Sequence, residues 1–300
     1  MDGRTNLEDL MAQWRLPEGD DLLDRLERMI YPALWSGHFG SSYTRMVTGL
    51  QYHLGGAQDT EQLATLAGVS SADQVLDVCC FLGGPAIQLA NSYGCRVTGI
   101  DGDKNVIQAA TRLVDVAGLA HVVDFRVADA AVLPFEDERF TVVWNQCSLE
   151  HNETWLRESD RVLAPGGRFA VTFQLRGQRA ESPGGPFSRW TLSDLVTILT
   201  DMGYSIIAAD DITERDIRIG WQALDRKLIE LEPALRAFLS NDWVQQARQS
   251  FGQAIEDMRT GRYGNGRIVA VKRLTSPRFA LDQAATVLNS HRQPPTRSSQ

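Results

Sequence analysis

Two acids and a glycine turn are the residues of this 300-residue chain best placed to do chemistry. The run Val75-Leu76-Asp77-Val78-Cys79-Cys80-Phe81-Leu82-Gly83-Gly84-Pro85 carries an apolar strand into a tight turn. Such a turn lets the backbone approach a ligand where the next helix begins, here Ala86-Ile87-Gln88-Leu89-Ala90. A second strand, Arg96-Val97-Thr98-Gly99-Ile100, ends in Asp101, 24 positions beyond Asp77. That is close to the offset of roughly 20 residues at which an acid meets ribose hydroxyls. A glycine turn alone is common and carries little weight; turn and acid together read as a βαβ nucleotide-cofactor site.

These groups need a frame to hold them. Apolar, β-rich runs at Val75–Cys79, Val97–Ile100, Val122–Val127, Phe140–Trp144, Phe169–Phe173, Ser205–Ala209 and Ile268–Val271 predict seven strands. Helical patterns fill most of the gaps, at Pro85–Ser92, Lys104–Ala117, Thr154–Val162 and Leu192–Met202. The last opens on Thr191-Leu192-Ser193-Asp194, an N-cap signature. Strands alternating with helices predict an α/β fold, a mostly parallel Rossmann-like sheet with helices on both faces.

Around residues 71–275 of this core, the first 70 residues read as a helical lid, with Leu22, Leu23, Leu26 and Met29-Ile30 on one face. An aromatic and glycine cluster follows, Tyr31-Pro32-Ala33-Leu34-Trp35-Ser36-Gly37-His38-Phe39-Gly40. Residues 210–262 form a long, mostly helical insertion before the last strand. Its apolar residues, Trp221, Leu224, Leu228, Leu231, Leu235, Phe238, Trp243 and Phe251, fall largely three or four apart, so it packs on something, as core or as a substrate wall. Residues 276–300 have the composition of a disordered tail.

With 43% hydrophobic residues the chain can bury a large core without metal or disulfide staples. A net charge of −8 and the lack of a basic stripe argue against nucleic-acid binding. No apolar run reaches the roughly 18 to 20 residues that span a bilayer, and the first residues lack a signal-peptide pattern, so the expected location is cytoplasmic with no membrane partner. Cys79, Cys80, Cys95 and Cys147 lack zinc-ligand spacing; they read as reduced structural thiols, and no metal site is expected. No feature points to a particular oligomeric state.

In this order and spacing the chain resembles the class I S-adenosylmethionine-dependent methyltransferases. The likeness is to their small-molecule branch, which includes ubiquinone, menaquinone, glycine, sarcosine and dimethylglycine methyltransferases. It runs over roughly residues 30–272 and rests on the Val75–Pro85 loop, Gly99-Ile100-Asp101, Ala128-Asp129-Ala130, Leu133-Pro134-Phe135 and Arg161-Val162-Leu163-Ala164-Pro165-Gly166-Gly167. The resemblance implies seven strands with the last antiparallel, S-adenosyl-L-methionine as cofactor, and a small-molecule acceptor reacting through N, O or C. It also implies Asp77 beneath the methionine end, Asp101 with Gly102 on the ribose, Asp129 with Ala130 at the adenine, and Cys79, Gly83 and Gly84 along the loop. The fourth strand ends in Asn145-Gln146-Cys147-Ser148-Leu149-Glu150-His151, where Asn145 and Gln146 are expected to bind cofactor and His151 to handle the acceptor or its proton. His38 is the other candidate base. Tyr31, Trp35 and Phe39 either enclose the sulfonium and acceptor or serve as helix-packing aromatics.

Two positions depart from the family pattern. Cys79 and Phe81 stand where the loop Asp-x-Gly-x-Gly-x-Gly-Gly has its first two glycines, which are favoured there because they tolerate positive φ. Either the loop takes another path with the ring turned away, or the pocket is partly filled. A cyclase or other non-methylating enzyme on this scaffold, and a noncatalytic binding protein, are therefore the rival readings.

Overall fold

The computed structural model describes residues 6–148, 153–178 and 190–274. Four helices come first: α1 (Leu7–Ala12), α2 (Leu22–Trp35), α3 (Tyr43–Thr48) and α4 (Gly56–Ala67). Then follow β1 (Gln74–Val78), α5 (Gly84–Tyr93), β2 (Arg96–Asp101), α6 (Lys104–Ala117), β3 (Val123–Val127), β4 (Phe140–Gln146), α7 (Glu153–Val162) and β5 (Leu163–Arg176). The chain ends with α8 (Leu192–Asp201), β6 (Tyr204–Asp211), α9 (Thr213–Asp216), a π-turn at Ile217–Trp221, α10 (Gln222–Leu235), α11 (Asn241–Arg259) and β7 (Tyr263–Lys272).

One seven-stranded sheet runs in the order β3-β2-β1-β4-β5-β7-β6, and β7 alone lies antiparallel to its neighbours β5 and β6. The expected Rossmann-like fold is what the chain adopts. Side chains alternate between the faces: Val142 and Trp144 of β4 enter one core cluster and Val143 the other. The first cluster joins the sheet to α2, α5 and α6 and also takes Leu228, Leu235 and Phe251 from the insertion, so that segment is partly core. The second packs β-strand residues against Leu156 and Val162 of α7 and Leu195 and Leu199 of α8.

Local chemistry sets the ends that matter. α6 starts because the Asp103 carboxylate accepts from the Asn105 and Val106 N–H groups, and α8 starts with a full capping box between Thr191 and Asp194. β5 and β7 run further than their apolar stretches, because paired backbone from Arg168↔Val271 to Arg176↔Tyr263 carries polar Gln174, Asn265 and Arg267 along. Leu163 pairs with Phe140 and Arg168 with Val142, so Ala164-Pro165-Gly166-Gly167 bulges out of the ladder. Among the described residues no helix is long and apolar enough to cross a membrane. The tail at 276–300 lies outside the described residues.

Candidate active site

The sheet brings three acids to neighbouring strand ends. Asp77 lies within β1, Asp101 closes β2, and Asp129 follows β3, where the Ala128 N–H donates to the Asp101 carbonyl at 3.0 Å. Open α/β sheets bind ligands at this carboxyl edge. The loop after β1 keeps the glycine path without the glycines: Cys79 has φ 60° and Phe81 φ 48°. Each such residue costs about 1–3 kcal/mol and persists only where its surroundings over-determine it. Those surroundings are present. The Cys80 N–H donates to the Ile100 carbonyl at 2.9 Å, the Phe81 N–H to Asp101 Oδ2 at 3.1 Å, and the Gly83 N–H to the Cys80 carbonyl at 2.9 Å. The expectation of another loop path is not met: the chain keeps the glycine path at both positions. Phe81 is buried against Tyr52 (5.1 Å between centroids) and Phe39 (6.4 Å, edge-on).

Gly83 and Gly84 answer to packing as well as to a ligand. A Cβ on Gly83 would lie 2.2 Å from the Phe125 ring, and one on Gly84 would lie 2.5 Å from the Leu50 carbonyl oxygen. Gly102 stands free in the turn between Asp101 and Asp103, with nothing within 4 Å of where a Cβ would be. Asp101 accepts one backbone N–H on each oxygen, from Phe81 and from Asp103 (3.0 Å), which fixes the carboxylate and leaves lone pairs for other donors. Asp129 is exposed, one oxygen accepting from the Ala131 N–H at 2.8 Å, with Ala130 buried beneath the turn.

Asp77 is the anomalous acid. It is 2% exposed, and its Oδ2 has no hydrogen-bond partner. Burial, followed by the charge of Asp101, pushes its carboxyl up to about 8. A buried orphaned acceptor is costly unless something completes it. An ammonium group would do so, and a ribose diol would complete Asp101; the residues present fit an aminoacyl nucleoside.

The amides at the end of β4 are employed differently from the expectation that they bind cofactor. Asn145 Nδ2 donates to the Val78 carbonyl (2.7 Å), tying β4 to β1. Gln146 Oε1 accepts from Trp144 Nε1 and Thr60 Oγ1, both at 3.0 Å, and its Nε2 donates to Asp59 Oδ2 at 2.7 Å. Gln146 is thus engaged in a buried network that the sequence reading missed. Asp59 also pairs with Arg215, which reaches Asp216 at 2.7 Å, and Asn265 donates to Asp216 at 2.7 Å. His53 stands 3.6 Å from Asp59 and 2.9 Å from Gln51 Oε1; burial lowers its pKa against the pull of Asp59, keeping it neutral near pH 7. The only local signal was polar residues in an apolar lid, because their partners lie up to 156 positions away.

The lid residues divide. Tyr31 stacks on Trp35 at 4.8 Å, Trp35 packs on Phe238 of the segment after α10, and the Tyr31 hydroxyl donates to Glu27 at 3.1 Å, so these two serve helix packing. Phe39 meets the loop through Phe81. His38 is half-buried in the turn after α2. His151 lies outside the described residues. Two hollows flank the 50–54 strap. One, of about 320 Å³, is lined by Gln51, His53, Glu27 and Lys227. The other, of about 830 Å³, lies at the junction of β5 and β7 among Tyr43, Tyr52, Gln174, Trp221, Gln249 and Tyr263.

Strand order, antiparallel β7, the β1 loop and the acid at the end of β2 define the class of fold, a Rossmann-like methyltransferase fold. Residues 76–171 match the family model described as a methyltransferase domain. Methyltransferase GfsG of Streptomyces halstedii is 40% identical over 119 residues, covering 39% of this chain and 43% of that protein. The chain spans less than half the length of the curated relatives it matches first. Among solved structures, Haemonchus contortus phosphoethanolamine N-methyltransferase 2, in complex with phosphomonomethylethanolamine and S-adenosylhomocysteine, superposes with a TM-score of 0.70 at 20% identity, covering 86% of this chain and 61% of that one. The [4+2]-cyclase SpnF superposes at 0.61 and 20% identity, covering 87% of this chain and all of that one. These likenesses establish the fold; a scaffold shared by a methyltransferase and a cyclase leaves the reaction to the site.

Proposed function

We propose that this chain transfers the methyl group of S-adenosyl-L-methionine to N, O or C of a small metabolite in the cytoplasm. The observation that carries the reading is the pairing of a retained loop path with two acids still able to accept: Asp101, oriented by two backbone N–H groups, and Asp77, buried with an orphaned oxygen. Asp101 would take the ribose hydroxyls, Asp77 the ammonium at the methionine end, and Asp129 the adenine amino group. The cofactor supplies the reactive sulfonium methyl, so the protein's share is alignment, exclusion of water and, for an N–H or O–H acceptor, a place for the proton. The acceptor would enter by the β5–β7 hollow, because its wall residue Tyr52 also touches Phe81 of the loop. Phe39 closes the lid over that loop, and His38 remains the lid's candidate proton acceptor.

Calorimetry with S-adenosylhomocysteine tests the cofactor site, and transfer of label from methyl-labelled S-adenosylmethionine to a panel of amines, alcohols and activated carbons tests the reaction. Absence of binding at millimolar ligand would refute the proposal. Product formed without label transfer would point to the cyclase type of chemistry instead.

A further inference from the structure

We propose that Phe81 and Tyr52 form an aromatic seat for a cation beside the cofactor loop, held in this structure by the guanidinium of Arg45, and that the cofactor's sulfonium displaces Arg45 from it. The proposal rests on the cofactor reading above and gives Phe81, which stands in place of a glycine, a task of its own.

The Arg45 guanidinium carbon lies 4.6 Å from the Tyr52 ring centroid and 5.0 Å from that of Phe81. Its Nη1 donates to the Phe39 carbonyl, while its Nε is buried without a hydrogen-bond partner. Among the described residues no carboxylate forms an ion pair with Arg45. Arg45 is half-buried, and what the protein offers its charge here, in place of a counter-ion, is the negative faces of two rings. The lid is shaped to leave it room: a Cβ on Gly40 would lie 2.7 Å from Arg45 Nη1. This arrangement is a cation site that the chain fills with its own side chain.

Its place relative to the chemistry follows from Phe81 itself. The same residue donates its N–H to Asp101, the acid assigned to the ribose, so its backbone borders the nucleoside's proposed place. S-adenosylmethionine and S-adenosylhomocysteine share the nucleoside and amino-acid ends and differ by a methyl and a positive charge at sulfur. A ring face attracts the first and not the second. The seat therefore favours substrate cofactor over its product, and methyl transfer, which removes the charge, weakens the hold and lets Arg45 return.

The test uses the full chain and calorimetry with three ligands: S-adenosylmethionine, its unreactive ammonium analogue sinefungin, and neutral S-adenosylhomocysteine. The wild type is expected to prefer the cationic pair by roughly 3- to 30-fold. Phe81→Leu, which keeps bulk but lacks the π face, should lose that preference with S-adenosylhomocysteine affinity changed less than about twofold. Phe81→Gly, which takes φ 48° without strain, provides the same comparison if the leucine does not fold. Arg45→Met should tighten sinefungin more than S-adenosylhomocysteine. Binding by Phe81→Leu or Phe81→Gly with the wild-type preference, or an Arg45→Met variant that gains equally for both ligands, overturns the seat alone. Failure of the wild type to bind all three overturns both the seat and the cofactor reading.

Discussion

Replacing Asp77 by Asn should make the ligand-free protein more stable, increasingly so as pH rises. In the unfolded chain an aspartate titrates near 4. In the fold, burial and the neighbouring Asp101 carry Asp77 to about 8. Between those values unfolding releases a proton that the folded protein holds, so raising the pH favours unfolding. At about 1.4 kcal/mol per unit, the penalty is absent below pH 4, reaches about 4 kcal/mol at pH 7 and levels near 6 kcal/mol above pH 8, as a ceiling. Asn fills the same space and carries no charge at any pH. Urea unfolding followed by circular dichroism at pH 5, 7 and 9 should show the variant ahead by about 1.4 kcal/mol at pH 5 and by several kcal/mol at pH 9. Asp216, raised to about 6 by burial, and His53, lowered by burial, titrate in both proteins and drop out of the difference. A stability difference that stays constant from pH 5 to pH 9 would show that Asp77 is not held protonated and would sink the argument. The same variant should bind S-adenosylhomocysteine more weakly, because the gain in stability comes from removing the acceptor held ready for an ammonium.

Asp101→Ala should weaken S-adenosylhomocysteine binding by about 10- to 100-fold, the worth of hydrogen bonds to a charged group, as read by calorimetry; normal binding would remove Asp101 from the ribose. Gly84→Ala drives a Cβ toward the Leu50 backbone carbonyl and should cost about 1–3 kcal/mol in urea melts, whereas a neutral effect would mean that the strap yields freely. Arg215→Met leaves Asp59 and Asp216 buried without their cation and should destabilise by about 3–5 kcal/mol at pH 7. Restoring balance with Asp59→Asn in the same chain should recover part of that loss, which a double-mutant cycle measures.

The α6 bounds Lys104–Ala117 were readable to the residue, because an amphipathic stripe, an Asp N-cap and a terminal Gly all act within one helical turn of the boundary. The seven strands were readable as apolar runs, but the lengths of β5 and β7 were not, since polar Gln174, Asn265 and Arg267 are held there by a cross-strand partner rather than by their own hydropathy. Asp77 and Asp101 were singled out through loop and spacing, and the sheet brings both to the candidate site. Gln146 was found at the right strand end with a different employment, because its partners Asp59 and Thr60 belong to a helix more than 80 positions earlier. Arg45 and Tyr52 left no local mark at all.

By itself the sequence determined the order of strands and helices, the cofactor loop and the acid that follows it, because periodicity, caps and turn chemistry act over a few neighbouring residues. Only the tertiary structure decided what Cys79 and Phe81 mean. Where a side chain at positive φ comes to rest depends on what lies across from it, here Tyr52, Phe39 and Arg45 from the segment before β1. The same holds for Asp77: its residue type is in the sequence, but its raised pKa comes from the water excluded around it.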